Sequence, residues 1–386
     1  MLFQLFIFVV LLLLVNRGNN SNYSDKLKEK NRKTFIFVAM VLLTVQSGFR
    51  NLAVGSDTFQ YYNHFEMAIT SSWTSLIDSF IGFIHGGEGK DPGYALLQKT
   101  FGTFFPSYRL FLIMVAVFFF YALGKTFKEY TSSNMEVLIS IALYQCLYYT
   151  FFSITGIRQT IASGILLFAL PYVFERKLWK FLLLLVLAAT QHKSALLFAP
   201  FYLLPLVKDS RKFILLAFVL FAPMWIFGDQ IAKYLVMGSI FEQYASYLEQ
   251  NEIAGAYTFA LYMIILGVLM FGNYKQIVNA DGRNNVFVCA VSIAIMLTPL
   301  TMIDPSNMRI VQYYSVFGLL VLPKCLISIQ FRYNMDLSMI VFLFLAAYTL
   351  YRMEPYAFFW QDMELGINYG GGIITVSYTH LRAHET

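Results

Sequence analysis

The sequence predicts an all-α polytopic membrane protein, and three observations lead to that fold class. Of the 386 residues, 58% are hydrophobic and 13% are charged, whereas a soluble domain carries roughly 25% charged residues. Along the whole chain, the apolar residues form runs whose length approaches that of a membrane helix. The basic residues gather in short segments between these runs, the bias that orients a membrane protein. The net charge of +6 therefore does not indicate a nucleic-acid partner.

About twelve apolar runs are candidate spans, although several are shorter than the about 20 residues that a crossing helix needs. The run over 136–174 is too long for one crossing, so we expect a turn near Ser153–Gly156. The run over 178–207 breaks at Gln191–Ser194. The candidates are 2–16, 34–49, 109–125, 136–152, 157–174, 178–191, 194–207, 213–228, 257–271, 286–303, 310–329 and 337–351.

The lysine- and arginine-rich segment after the first run predicts a cytoplasmic first loop. Alternation from there places the polar clusters around Arg50, Arg158, His192 and Arg309 on the outer side. Two outer loops are long, at 50–108 and 229–256, and their aromatic and aliphatic residues recur at helical spacing. This pattern favours amphipathic helices at the membrane interface, with packed ectodomain helices as the alternative.

The two ends of the chain differ from its middle. Residues 1–15 have neither a basic start nor a small-residue cleavage site, so we interpret them as a short membrane helix and not as a signal peptide. Residues 375–386 turn polar abruptly and look like translated adapter sequence. We therefore expect one polytopic membrane domain over 1–374, followed by a non-native tail.

Arg158 lies with Gln159 at the predicted outer start of a helix, after Gly156. A helix N-terminus presents free N–H groups and about half a positive charge. An arginine there predicts an anion site, for which a phosphate is suited because the guanidinium binds two oxygens at once. The alternative is an arginine that reaches lipid headgroups.

Arg50 ends the second run, and Asp57 follows in a stretch of small polar residues. The functional hypothesis is that Arg50 binds a phosphate or orients Asp57, while Asp57 contacts sugar hydroxyls or accepts a proton. The alternative is an ion pair between the two, with Asp57 capping the next helix.

His192 and Lys193 lie at an outer turn between two short runs. Histidine is the usual proton acceptor near neutral pH, so this turn is a candidate for substrate binding or catalysis, with a solvated turn histidine as the alternative.

Arg309 starts another helix, and Tyr313 follows about a turn later with a ring that suits stacking on sugar. Interfacial anchoring is the other interpretation of these two residues.

Several motifs are absent from the sequence. It contains no phosphate-binding loop, no dinucleotide fingerprint, no zinc-protease motif and no acidic pair for a metal-bound sugar nucleotide. The three cysteines lie within apolar runs without metal-site spacing. We therefore expect no metal and no cofactor. An activated lipid diphosphate is an energy source that arginines can neutralise without a metal.

Six short motifs in this order resemble the EpsG-like exopolysaccharide polymerases, which are relatives of the Wzy-type polymerases. The resemblance covers roughly residues 34–360, and Gly55-Ser56-Asp57 and Asp91-Pro92-Gly93 depart conservatively from the family's usual pattern. The motifs are Arg50 with Gly55-Ser56-Asp57-Thr58, Asp91-Pro92-Gly93-Tyr94, Ile157-Arg158-Gln159, His192-Lys193-Ser194-Ala195, Arg309 with Tyr313-Tyr314, and Glu354-Pro355-Tyr356.

The resemblance implies an enzyme in the cell (inner) membrane with a GT-C-like architecture. Such enzymes join undecaprenyl-diphosphate-linked oligosaccharide repeats at the extracytoplasmic face, for exopolysaccharide, capsule or O-antigen. It implies a lipid-linked oligosaccharide, membrane lipids and possible chain-length regulator and flippase proteins as partners. The residues expected in catalysis are His192, Asp57 and Arg158, and those expected to bind substrate are Arg50, Arg158, Gln159, Lys193, Arg309, Tyr94 and Tyr313.

Two other functions remain open from the sequence. A glycan ligase acting on the same lipid-linked substrate has the same chemical needs. A transporter or flippase for that substrate is the second alternative, although transporters tend to carry internal repeats and charged residues near mid-membrane. This chain has no repeat that we detect, and its unusual charges gather on one side, which favours an enzyme.

Overall fold

A computed structural model shows a helical bundle with a short hairpin near its C-terminal end. The structure describes residues 2–15, 24–55, 57–85, 91–236, 256–303, 307–329, 336–352, 355–363, 365–369 and 372–376. Its first elements are α1 (Leu2–Val15), α2 (Asp25–Gly48), α3 (Thr58–Thr70), α4 (Trp73–Ile84), α5 (Pro92–Phe104), α6 (Tyr108–Tyr130), α7 (Asn134–Leu143), two π-helical segments (Tyr144–Tyr148 and Thr150–Thr155) and α8 (Ile157–Phe174).

The second part of the chain continues the bundle. It comprises α9 (Leu178–Gln191), a 3₁₀ segment (Lys193–Leu206), α10 (Ser210–Val236), α11 (Tyr257–Ala280), α12 (Asn284–Leu297), α13 (Leu300–Ile303), α14 (Met308–Ser315), α15 (Gly318–Ser328), α16 (Leu337–Tyr351), β1 (Leu365–Tyr369) and β2 (Gly372–Val376). Side-chain caps fix several helix starts: Ser24, Ser72 and Ser133 each accept a backbone N–H three residues later.

Within the described residues, four helices are long and apolar enough to cross a membrane: α6, α8, the first part of α10, and α11. The pair α14 and α15 is a fifth candidate if its 51° bend lies within one crossing. Five shorter apolar helices, α1, α9, the 3₁₀ segment, α12 and α16, lie on other predicted spans. Twelve crossings and the GT-C-like architecture therefore remain predictions.

Both predicted breaks coincide with changes of helix type. The long run over 136–174 passes through π-helical turns that end at Gly156, whose N–H donates to the Phe151 carbonyl at 2.7 Å. The second break follows Gln191, where the chain becomes extended at His192 and continues as a 3₁₀ segment containing Pro200 and Pro205. These prolines lack the N–H that an α-helix requires inside its ladder.

The two long predicted loops behave differently. The segment 50–108 contains α3, α4 and α5, so its helical pattern is matched by helices. The segment 229–256 begins inside α10, which continues to Val236, and most of the remainder lies outside the described residues. Near the C-terminal end, β1 pairs antiparallel with β2, and Leu365 faces Val376. This hairpin departs from the all-α prediction and includes the start of the predicted tail, whose residues 377–386 lie outside the described ones.

The helices place two groups of polar residues at opposite ends of the bundle. Helix α2 is about 36 Å long at 1.5 Å per residue. Near its first end, Arg32 donates a hydrogen bond to the carbonyl of Thr131, just after the last residue of α6. At the other end of α2, Gly48 packs on Ile113 in the second turn of α6. We call these the Glu136 end and the Asp91 end. The Asp91 end contains Arg50, Arg158, His192 and Arg309, and the Glu136 end contains Arg32, Arg283 and Lys324.

Candidate functional site

Asp91 is the centre of a polar cluster at the Asp91 end. It precedes α5 in a left-handed backbone conformation (φ 54°), and Pro92 follows as the first helical residue. Gly93 lies so close to the end of α9 that an added Cβ would be 2.6 Å from the Thr190 Cβ. This contact brings Asp91, two residues before Gly93, next to His192, two residues after Thr190.

The buried carboxylate of Asp91 accepts three hydrogen bonds. The Arg158 Nη1 donates to Oδ2 at 2.9 Å, and the His192 Nδ1 lies 3.1 Å from the same oxygen. The backbone N–H of Lys193 donates to Oδ1 at 3.0 Å. Asp91 is only 1% exposed, and a buried charge is stable only when it is paired and hydrogen-bonded. The cluster supplies both conditions.

The environment favours the ionised form of Asp91. Burial alone would raise the pKa of this carboxyl. The hydrogen bond and charge of His192, the charge of Arg158 and the Lys193 amide outweigh burial and hold the pKa of Asp91 below its ordinary value. At neutral pH the cluster therefore contains a fixed negative charge between an arginine and a histidine.

The Asp91 carboxylate orients the His192 ring. With Nδ1–H donating to Oδ2, the neutral ring presents the lone pair of Nε2 on its opposite edge. Nε2 is buried and has no hydrogen-bond partner among the described residues, and His192 as a whole is 4% exposed. An oriented imidazole with an unused nitrogen is suited to accept a proton.

Arg158 lies at the second position of α8, directly after the turn at Gly156. Its guanidinium lies 5.9 Å from the centre of the Tyr61 ring, and the Tyr61 hydroxyl donates to the Thr155 carbonyl at 2.9 Å. The Arg158 side chain is 20% exposed, so it reaches the surface of the cluster while holding Asp91 beneath it. The structure thus supplies a carboxylate partner for an arginine that the sequence analysis left unpaired.

Tyr61 shows that three of the predicted residues converge. Burial raises the pKa of its hydroxyl, the positive charges of Arg158 and Arg309 oppose the increase, and the negative charge of Asp57 adds to it. These charges act on one phenol although Asp57 precedes α3, Arg158 begins α8 and Arg309 lies in α14. The sequence analysis missed Tyr61 because one tyrosine among the several aromatic residues of an amphipathic helix has no distinguishing pattern.

Asp57 and Gln159 have separate local roles in the structure. Asp57 occupies the N-cap position of α3, but its side chain makes no capping hydrogen bond. The Gln159 Nε2 donates to the Arg309 carbonyl at 2.6 Å, which fixes the start of α14 against α8. Gln159 therefore positions Arg309 near the cluster through the backbone.

Arg50 and Tyr94 lie deeper in the same end. Arg50 is 3% exposed, and its Nη1 donates to the Ser47 carbonyl at 2.6 Å, while its backbone pairs with Phe358. Burial raises the pKa of the Tyr94 hydroxyl well above its ordinary value, and the charges of Arg158 and Arg50 only partly oppose this effect. The Tyr94 ring also meets Tyr61 edge to face, with ring centres 6.3 Å apart.

Lys193 and Tyr313 contact the cluster from the 3₁₀ segment and α14. The Lys193 ammonium lies 5.3 Å from the centre of the Phe83 ring in α4, so its side chain is directed toward that amphipathic helix. The Tyr313 hydroxyl lies 3.3 Å from the Ser194 Oγ, and the residue is buried. Among the described residues, no group of three or more His, Cys, Asp and Glu side chains is placed to hold a metal ion.

The sequence pattern of the EpsG family matches residues 33–361, which is most of the chain. The chain belongs to the EpsG family. EpsG is an exopolysaccharide polymerase family, so this protein is a membrane protein of polysaccharide biosynthesis. No curated protein matches the chain, and no solved structure matches it.

The residue of this EpsG protein that the sequence analysis undervalued is Asp91. The Asp-Pro-Gly-Tyr motif is noted there only as part of the resemblance. The signal that identifies it is an acid directly before Pro-Gly, because the proline starts a helix and the glycine permits close packing of that helix start. An acidic residue in that position is buried when the helix start packs against its neighbour.

Proposed function

We propose that this EpsG protein polymerises oligosaccharide repeats that are linked to a polyprenyl diphosphate, undecaprenyl diphosphate by the family resemblance. The growing glycan leaves its lipid carrier and is transferred to a sugar hydroxyl of the next lipid-linked repeat, at the outer face of the cell membrane. The observation that carries the proposal is the Asp91 carboxylate shared between Arg158 and His192, with the His192 Nε2 unused.

In this mechanism His192 is the general base. The Asp91 carboxylate holds Nδ1–H, so Nε2 accepts the proton of the acceptor hydroxyl as that oxygen attacks. The imidazolium that forms lies against the Asp91 carboxylate, whose negative charge stabilises the developing positive charge. Asp91 acts through His192 and is a positioning residue.

Arg158 is suited to the leaving diphosphate. One of its N–H groups donates to Asp91, and a guanidinium has five such donors, so others remain for phosphate oxygens. The N-terminus of α8 adds free backbone N–H groups and a partial positive charge at the same place. Arg309, whose charge reaches the neighbouring Tyr61, contributes a second cation.

The proposed step balances without a further reactant. The bond between the donor sugar's anomeric carbon and the diphosphate oxygen breaks, and a bond forms from that carbon to the acceptor oxygen. The bonding electrons leave with the diphosphate, whose negative charge the arginines neutralise. The proton moves to His192 Nε2 and then to water or to the departing phosphate.

The proposal is tested with purified protein in proteoliposomes that receive a lipid-linked repeat and no nucleotide. We expect a ladder of polymer together with release of polyprenyl diphosphate. His192→Ala is expected to slow both by about 10²- to 10⁴-fold, because general-base assistance has that magnitude. His85→Ala is the matched control, since His85 is an exposed histidine at the end of α4.

Two results would contradict the polymerase proposal. Transfer of whole glycans to a different acceptor without chain growth would identify a ligase. Movement of the lipid-linked repeat between leaflets without any new glycosidic bond would identify a flippase. An unchanged rate in His192→Ala, with the protein correctly inserted, would remove the base assignment alone.

A further inference from the structure

A second polar space lies beside the Asp91 cluster. It is a cavity of about 360 Å³ between α1, the two π-helical segments, α11 and α16, and this volume is within the ~300–1,000 Å³ range of small-molecule sites. We call it the glutamine cavity. Its defining residues are Gln4, Gln145, Tyr149, Tyr257 and Tyr348.

The glutamine cavity and the Asp91 cluster are bordered by neighbouring residues of the chain. Ile154 lines the cavity, and the carbonyl of the next residue, Thr155, accepts the hydrogen bond from Tyr61. Met308 also lines the cavity and directly precedes Arg309. Asp91, Arg158 and His192 do not line it, so the cavity is a neighbouring space and not the pocket of the charged cluster itself.

Amide side chains form the floor of the cavity. The Gln4 Nε2 donates to the Gln145 Oε1 at 3.3 Å, and Gln145 exchanges hydrogen bonds with Gln46 in α2. The Gln4 Oε1 is buried and has no hydrogen-bond partner among the described residues. A buried acceptor without a donor costs free energy, and a ligand hydroxyl in the cavity is a donor of the required kind.

The lining distinguishes between classes of ligand. Among the described residues of the lining, Arg352 is the one charged side chain, and the others include amides, hydroxyls and aromatic rings. A diphosphate would favour the arginines of the Asp91 cluster, and a prenyl chain would favour an aliphatic surface. Sugar rings present many hydroxyls together with apolar faces, which matches amide donors and acceptors beside tyrosine rings.

We propose that the glutamine cavity is a saccharide subsite, which holds sugars of a bound repeat while its reacting end lies at the Asp91 cluster. This inference rests on the polymerase function proposed above. It assigns separate places to the two parts of the substrate: the diphosphate to Arg158 and Arg309, and sugar hydroxyls to Gln4 and Gln145. The tyrosine rings then stack on the apolar faces of the sugars.

The experiment measures binding of a saccharide that lacks the lipid diphosphate. The probe is the repeat-length oligosaccharide released by mild acid from the lipid-linked repeat, titrated into purified protein by calorimetry. Gln145→Leu removes the amide pair, and Tyr257→Ala removes a ring that is 56% exposed and hence of little importance for folding. The matched control is Tyr351→Ala, an 87% exposed tyrosine of α16 outside the cavity lining.

We expect each cavity variant to raise the dissociation constant of the oligosaccharide about fivefold or more, as loss of one or two hydrogen bonds or of one stacked ring does. Tyr351→Ala should bind as the wild type does. If Gln145→Leu does not fold, Tyr257→Ala alone decides the result.

The outcomes separate this inference from the proposed function. Polymerisation by the wild type, together with equal oligosaccharide binding by all variants or no binding at all, would overturn the saccharide subsite and leave the polymerase intact. Cavity-dependent oligosaccharide binding without polymerisation in proteoliposomes would overturn the polymerase proposal and keep the subsite.

Discussion

The two ends of the bundle use the same types of charged residue in different ways. At the Glu136 end, the Lys324 ammonium donates to Glu136 at 2.7 Å and to the Tyr130 carbonyl at 2.8 Å. Arg283 there pairs with both Asp281 and Glu129. Each of these cations is matched by anions or carbonyls from neighbouring elements, so the charges join loops to helices.

At the Asp91 end the matching is incomplete in the part of the chain that the structure describes. Nε and Nη2 of Arg50, Nε2 of His192 and the hydroxyl of Tyr94 are buried without a hydrogen-bond partner there. At the Glu136 end, Oδ1 of Asn134 is likewise buried without a hydrogen-bond partner among the described residues. An unpaired buried polar group costs about 1–3 kcal/mol, and such groups cluster where a ligand completes them. Spare hydrogen-bonding capacity, and not charge alone, therefore distinguishes the end for which we propose a function.

The largest expected difference between the ends concerns arginine. Arg158→Lys and Arg158→Ala should each lower the polymerisation rate by about 10²- to 10³-fold, because lysine lacks the planar fork that binds two phosphate oxygens. Arg283→Lys at the Glu136 end is the control and should retain the wild-type rate. The measurement is polymer yield from a lipid-linked repeat at equal amounts of inserted protein. Equal losses at both ends would remove the distinction between them.

The next effect should appear in stability and not in catalysis. Glu136→Gln leaves the Lys324 ammonium, whose side chain is only 12% exposed, without its anion. Breaking such a pair is expected to cost about 3 kcal/mol of unfolding free energy, measured by denaturation in detergent. The polymerisation rate per folded molecule should not change. A lower rate in fully folded protein would mean that the Glu136 end also participates in the reaction.

The smallest expected effect comes from the contact that builds the cluster. Gly93→Ala places a methyl group against Thr190 and should separate α5 from α9. Such overpacking is expected to lower the unfolding free energy by about 1–3 kcal/mol. Polymerisation should also fall, because the distance from Asp91 to His192 depends on this contact. Gly82→Ala in α4 is the matched control, since a Cβ added there meets nothing within 4 Å. This substitution should stabilise the helix slightly, because alanine has a higher helix propensity than glycine. Equal behaviour of the two variants would refute the proposed role of the contact.

Much of the fold was predictable because it follows from local patterns. The apolar runs correspond to helices, the turn at Gly156 and the break after Gln191 occur where polar residues interrupt the runs, and 50–108 forms helices as its spacing indicated. The π-helical and 3₁₀ segments and the β1–β2 hairpin were not predicted. Helix type depends on how neighbouring helices pack, which a one-dimensional pattern does not contain.

For the site, the sequence alone determined a membrane chain with arginines and a histidine gathered at one side, and its motifs determined the family. The tertiary structure decided which of these residues meet. It placed Asp91 between Arg158 and His192, although the three are far apart in sequence, and directed the Lys193 side chain toward α4. The physical reason is that a buried carboxylate must be neutralised by whatever cations the packed helices bring within about 3 Å, and the packing of Gly93 on Thr190 brings Asp91 to His192.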